Sequence, residues 1–195
     1  MDAMDVTIHL YEPRFAEAFR AINLEWIRHY FRVEQHDEDV LRDPGAIVAA
    51  GGQIFIALAA GANDVDTGGG AAATADGPGG AAAAAAASTA DGLCDDPAVL
   101  GVVAMLAPRA DGSPGFEFAK MGVRARARGR GVGRLLGEAA VRWARARGAA
   151  VDILSNRRLA PALALYKSLG FEERPLPAND YERADIYLVL ERAAP

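Results

Sequence analysis

Apolar and polar residues alternate from Val6 to Leu10, which predicts a strand. After Pro13 the pattern changes period. Phe15, Phe19, Ile22, Trp26 and Tyr30 recur at helical spacing and predict a helix from Pro13 to about Phe31. A short acidic helix is expected over residues 37–41, broken by Asp43-Pro44-Gly45. Residues 54–58 form an apolar run of strand length. Residues 99–106 and 116–123 read as strands joined through Asp111-Gly112-Ser113-Pro114-Gly115 into a hairpin. A helix is expected over 131–147, with Val132, Leu135, Leu136, Ala139 and Trp143 on one face and a stop at Gly148. Residues 151–154 follow as a strand. Residues 159–169 follow as a helix, with Pro161 in its first turn, where a missing N–H costs little, and Gly170 at its end. Residues 171–173 and 185–190 complete the strands. The alternation β-α-β, then β-β-α-β-α-β-β, predicts an α/β (α+β) mixed sheet with helices on its faces.

Composition separates one stretch from the rest. Residues 61–96 are mostly Ala, Gly, Asp, Ser and Thr, without an aromatic residue. Such a segment buries too little apolar area to offset its ordering entropy, so a low-complexity disordered insertion is expected within a single domain spanning 5–192, with 193–195 as a tail. The 195 residues suit one domain, and 51% of them are apolar. The first five residues carry acid where a signal peptide carries base, and the apolar runs fall far short of a membrane span, so a cytoplasmic protein with no membrane partner is expected. A single cysteine, Cys94, excludes an intramolecular disulfide and a multi-cysteine metal site. His9, His29 and His36 lack metal-ligand spacing, so no metal is expected. A net charge of −5 argues against a nucleic-acid partner. Yet between Lys120 and Arg147 lie Arg124, Arg126, Arg128, Arg130, Arg134, Arg142 and Arg145, opposed only by Glu138. A basic block in an acidic chain points to a local polyanion site.

That block contains a glycine-rich strand-to-helix turn, Gly129-Arg130-Gly131-Val132-Gly133-Arg134. Glycines let backbone approach a ligand, and the first N–H groups of a helix have no intrahelical partner and carry partial positive charge. A phosphate or diphosphate suits that end, with Arg128, Arg130 and Arg134 able to add charge-assisted hydrogen bonds. A structural turn stays open at this point, whereas a dinucleotide loop is disfavoured because Arg134 stands where G-x-G-x-x-G needs its last glycine and Asp152 is poorly spaced as a ribose acid. A triphosphate loop is disfavoured because no Gly-Lys-Ser/Thr follows.

The run Val123-Arg124-Ala125-Arg126-Ala127-Arg128-Gly129-Arg130-Gly131-Val132-Gly133 resembles motif A of the GNAT superfamily of N-acetyltransferases, Arg/Gln-x-x-Gly-x-Gly/Ala after a strand. Arg128, Gly131 and Gly133 match it, and Ala125 stands where the family often has proline. Ser155-Asn156, followed at a longer spacing than the family's by Ala162-Leu163-Ala164-Leu165-Tyr166-Lys167-Ser168-Leu169-Gly170-Phe171, resembles the family's Asn-x-x-Ala-x-x-Leu-Tyr-x-x-x-Gly-Phe region. The resemblance implies a mostly antiparallel central sheet of 6–7 strands flanked by about four helices. It implies acetyl-CoA as cosubstrate and a small-molecule or peptide amine as acceptor, and it leaves a homodimer open. Met121, Gly122 and Val123 would offer their backbone to the pantetheine arm. The amides of Arg128, Gly129, Arg130, Gly131, Val132, Gly133 and Arg134 would hold the diphosphate, and Asn156 would touch the cofactor. Tyr166 would protonate the leaving thiolate. Glu117 is a candidate base, because a two-residue period puts it on the strand face of Met121 and Val123. Glu25, Trp26, His29 and Tyr30 are candidates for the acceptor wall, as is the segment Asp180-Tyr181-Glu182-Arg183. A CoA-binding sensor or interaction module without turnover is the alternative.

Overall fold

The computed structural model describes residues 5–59, 96–108, 115–179 and 181–192. Its strands are β1 (Val6–Leu10), β2 (Gln53–Ala59), β3 (Val99–Leu106), β4 (Gly115–Val123), β5 (Ala150–Ser155), β6 (Glu172–Arg174) and β7 (Ile186–Leu190). Its helices are α1 (Ala16–Tyr30), α2 (Gln35–Arg42), α3 (Pro44–Ala49), α4 (Val132–Arg145) and α5 (Ala160–Ser168). The strands form one sheet in the order β1-β2-β3-β4-β5-β7-β6. Every pairing is antiparallel except β4 with β5. A parallel neighbour needs a crossover, and α4 supplies it. The element order follows the expected one, with one helix more than anticipated. The expected insertion at 61–96 lies outside the described residues except for Asp96, and the tail lies outside them entirely. The strands β2 and β3 on either side of the insertion pair directly.

Each sheet face carries its own core. On one, α4 and α5 cover Phe55, Val103, Phe118, Val151, Ile153 and Leu188. On the other, α1, α2 and α3 cover Ile54, Ile56, Val102 and Ala104. Phe19, Ile22 and Ile27 of α1 are essentially inaccessible, each contributing about 1.5–3 kcal/mol by burial. Two expected stripe positions fall outside the cores. Tyr30 is 41% exposed and Leu135 is 39% exposed, because Ile27 and Leu136 take the inward places. The break at Asp43-Pro44-Gly45 is also a start. The Asp43 side chain accepts from the Ala46 amide at 3.3 Å and caps α3, with Pro44 in the first turn, where it lacks no needed N–H. Among the described residues no helix is long and apolar enough to cross a membrane.

Two features of β4 shape what lies beside it. First, its pairing with β5 covers only Gly115–Glu117 against Ala150–Asp152. At this closed end a Cβ on Gly115 would stand 1.9 Å from the Ala150 carbonyl oxygen, so only glycine allows the approach. Beyond Glu117 and Asp152 the strands part, and β5 continues with β7 alone. Second, β4 bulges against β3. Val102 pairs with Gly122 and Ala104 with Ala119, leaving Lys120 and Met121 opposite Val103 alone. Lys120 takes φ = 52°, uncommon for a residue with a side chain.

The bulge corrects the expectation for Glu117. An extra residue shifts the two-residue period by one. Met121 and Val123 therefore join Phe116 and Phe118 on the α4 face. A Cβ on Gly122 would meet Ile22 and Trp26 of α1 instead. Glu117, whose charge acts on Lys120 and Tyr181, lies on the α1–α2 side and not with Met121 and Val123.

Candidate active site

The parting of β4 from β5 opens a cleft of about 490 Å³. Its walls are β4 from Glu117 to Val123, the end of β5 from Ile153 to Ser155 with Asn156 after it, and α5 with Tyr166. Trp26 and Tyr30 of α1, with Tyr181 and Arg183 before β7, close the other side. The backbone of β4 past Glu117 has no β5 partner, so its polar groups on that edge face the cleft, where an extended ligand can pair with them.

The glycine turn stands at one end of this cleft. Gly129 (φ = 74°) and Gly131 (φ = 81°) both occupy the left-handed region, which glycine enters without steric cost. Gly131 is the N-cap of α4, and no side chain caps its first amides. Those N–H groups, with the helix dipole behind them, form an anion cradle. Arg128, Gly129, Gly131, Val132 and Gly133 line the cleft. The arginines are deployed differently from one another. Arg128 donates Nε to the Val123 carbonyl at 2.9 Å and pairs with Glu25 at 3.3 Å, pinning the turn to β4 and α1. Arg130 and Arg134 are exposed and are not among the residues that line the cleft. Arg124 is buried and donates to the Val99 carbonyl at 2.8 Å, and Arg126 donates to the Pro97 carbonyl. Asn156 donates to the Arg183 carbonyl at 2.7 Å and accepts from the Arg158 amide at 2.9 Å. Its side chain thus ties the β5–α5 turn to the segment before β7.

Tyr166 is buried, with its ring edge-on to Phe118 (5.5 Å) and Phe171 (6.2 Å). Burial pushes its phenol pKa well up, so it stays protonated at neutral pH and can donate a proton but not accept one. Glu117 is 5% exposed and pairs in register with Asp152, which is wholly buried.

The cleft also holds a cluster that sequence reasoning missed. Asp37 of α2 is wholly buried. It accepts from Lys120 Nζ at 2.6 Å and from both Arg183 terminal nitrogens at 2.7 Å. It also accepts from the Glu34 amide at 3.1 Å, closing a capping box on α2. Lys120 reaches the Tyr181 hydroxyl at 3.2 Å, and Arg183 pairs with Glu34 at 2.9 Å. Burial alone would raise the Asp37 pKa, but the Arg183 hydrogen bonds and the Lys120 charge outweigh it and hold the carboxyl at about 2. Burial lowers the Lys120 pKa despite its partner, and raises that of Tyr181 with help from Glu117 and Asp37. Only the capping-box spacing Glu34-x-x-Asp37 hinted at this cluster in the sequence. The partners of Asp37 lie 83 and 146 residues away.

Residues 92–173 match the family profile of the acetyltransferase (GNAT) domain. No match was found among curated proteins. Among solved structures, a GNAT-family acetyltransferase from Staphylococcus aureus Mu50 superposes with a TM-score of 0.68 at 13% identity, over 95% of this chain and 98% of that one. The putative acetyltransferase yncA from Salmonella typhimurium, solved with acetyl-CoA, gives 0.63 at 16% identity, over 97% and 94%. The PaiA N-acetyltransferase from Thermoplasma acidophilum, solved with coenzyme A, gives 0.60 at 11% identity, over 97% and 100%. These likenesses share one fold with the chain, including the elements on both sides of the profile match. The chain thus carries a segment similar to the GNAT acetyltransferase domain, inside a fold shared with acetyltransferases of that family.

Proposed function

We propose that the protein transfers an acetyl group from acetyl-CoA to a primary amine by direct attack. One observation carries the reading: β4 leaves β5 beyond Glu117, and the uncapped start of α4 stands at the opening. The free edge of β4 at Met121, Gly122 and Val123 suits the amide-rich pantetheine arm. The amides from Arg128 to Arg134 suit the diphosphate, and Asn156 lies on the cleft wall opposite β4. Two of the fold relatives were solved with acetyl-CoA or coenzyme A. Acetyl-CoA supplies an activated thioester carbonyl. The chain's task is to bring a neutral amine to it. Glu117 takes the amine proton, directly or through water. A backbone N–H near Met121 stabilises negative charge on the carbonyl oxygen as the C–N bond forms. Tyr166 gives its proton to the sulfur as the C–S bond breaks.

Thiol release from acetyl-CoA over a panel of amines, run beside thermal stabilisation by coenzyme A, tests this. Turnover together with stabilisation is expected. Stabilisation without turnover for any amine would replace the enzyme reading with that of a CoA-binding sensor. Neither effect would reject both.

A further inference from the structure

A second concavity, of about 560 Å³, adjoins the cleft and shares Tyr30, Phe31 and Arg183 with it. It contains no residue of the glycine turn or of α4, so it lies apart from the anion cradle at the other end. Its charge runs against that of the chain. Arg28, Arg32 and Arg158 border it, all exposed, and none of their side chains makes an ion pair among the described residues. Two carboxylates share the basin. Glu34 is already committed to Arg183 at 2.9 Å and to the Glu182 amide at 3.1 Å. That leaves three guanidinium groups against the carboxylate of Glu182, in a protein whose net charge is −5. Guanidinium forks match the planar geometry of a carboxylate. The neighbouring cleft offers the opposite chemistry, a buried carboxylate at Glu117 suited to an amine.

From this pairing we infer that the acceptor is a small amine that also carries a carboxylate, an amino-acid-like molecule with its amine directed to Glu117 and its carboxylate held by Arg28, Arg32 and Arg158. The inference rests on the acetyltransfer reading and narrows it. The positive basin draws the anionic end in and sets the direction of the amine. An acceptor without the carboxylate leaves the three arginines to solvent and gains nothing from them.

The test uses matched pairs: free amino acids, the same compounds with the carboxylate amidated, and peptides with acidic side chains. Thiol release is measured for the wild-type chain, for Arg32→Gln, for the double variant Arg32→Gln/Arg158→Gln, and for Arg20→Gln, an exposed position of α1 outside both concavities, as control. The free acid should be preferred over its amide by about tenfold in kcat/KM. The double variant should lose that preference through acceptor KM, with the KM for acetyl-CoA unchanged. Equal use of acid and amide, or a preference that survives the double variant, would overturn the inference. So would acetylation confined to acidic peptides. Calorimetric titration of the coenzyme A complex with the same acids gives a readout independent of turnover. If no amine is acetylated, the proposed activity fails. Carboxylate binding that the double variant abolishes would still support the basin's assignment, and no binding of any acid would refute it.

Discussion

Asp37→Asn is the sharpest probe of the buried cluster. The substitution keeps the shape of the side chain and removes its charge. Asp37 is wholly buried and answers Lys120 at 2.6 Å and Arg183 at 2.7 Å. Its loss leaves two cations facing each other with only Glu34 and Glu117 to balance them. Breaking a buried pair by neutralising one partner costs about 3–5 kcal/mol. For a domain of this size that corresponds to a fall in Tm of about 6–20 °C. Lys120→Met is the informative companion. It leaves Asp37 with its two Arg183 bonds and removes a cation that burial already disfavours, so its cost should stay below about 2 kcal/mol. The pH dependence has a definite sign. The Asp37 carboxyl is held at about 2, below its ordinary 3.8. A depressed carboxyl contributes stability above its unfolded pKa and loses it as pH falls through the folded one. The gap between wild type and Asp37→Asn should therefore be full above about pH 5 and narrow by about 2 kcal/mol between about pH 4 and 2. Denaturant unfolding at pH 7 and along an acid series measures both. A loss under about 1 kcal/mol at pH 7, or a gap that does not change with acid, would refute the cluster's assigned role.

Other expectations concern the cleft. Tyr166→Phe should lower kcat by about tenfold or more with coenzyme A affinity unchanged. Because burial keeps the phenol protonated, the loss should be constant from about pH 6 to 9, and unaltered turnover would remove Tyr166 from the reaction. Gly131→Glu should fold, since a Cβ there meets nothing within 4 Å, with only about 1–2 kcal/mol of left-handed strain. Calorimetry should nevertheless show coenzyme A affinity reduced by about a hundredfold or more, and unchanged affinity would exclude the turn as diphosphate site. Gly115→Val drives a side chain into the Ala150 backbone at the closed end of the split, where neither strand can yield. A loss of about 3 kcal/mol or more is expected in denaturant unfolding, and a near-wild-type midpoint would contradict the close approach.

What could be read in the sequence was local. The glycine turn announced itself because its three glycines and its arginines are consecutive, β1 by alternation, and β2 by a short apolar run. α3 was hidden because Pro44 and Gly45 read as breakers, although Pro44 in a first turn with Asp43 ahead of it starts a helix. The bulge at Lys120 was invisible. Nothing in Phe116 to Val123 marks an extra residue, and only pairing with β3 reveals one. That single residue moved Glu117 to the α1–α2 side and carried Lys120 to Asp37. The cluster of Asp37, Lys120 and Arg183 joins α2, β4 and the segment before β7, and no spacing rule links positions so distant in the chain.

A crystal structure of the protein grown with coenzyme A tests the split-strand site most directly. The pantetheine arm should lie hydrogen-bonded along the free edge of β4 between Phe118 and Val123, with the diphosphate over the amides of Gly129 to Gly133. Coenzyme A bound elsewhere, or that edge and turn closed by the protein's own side chains, would contradict it.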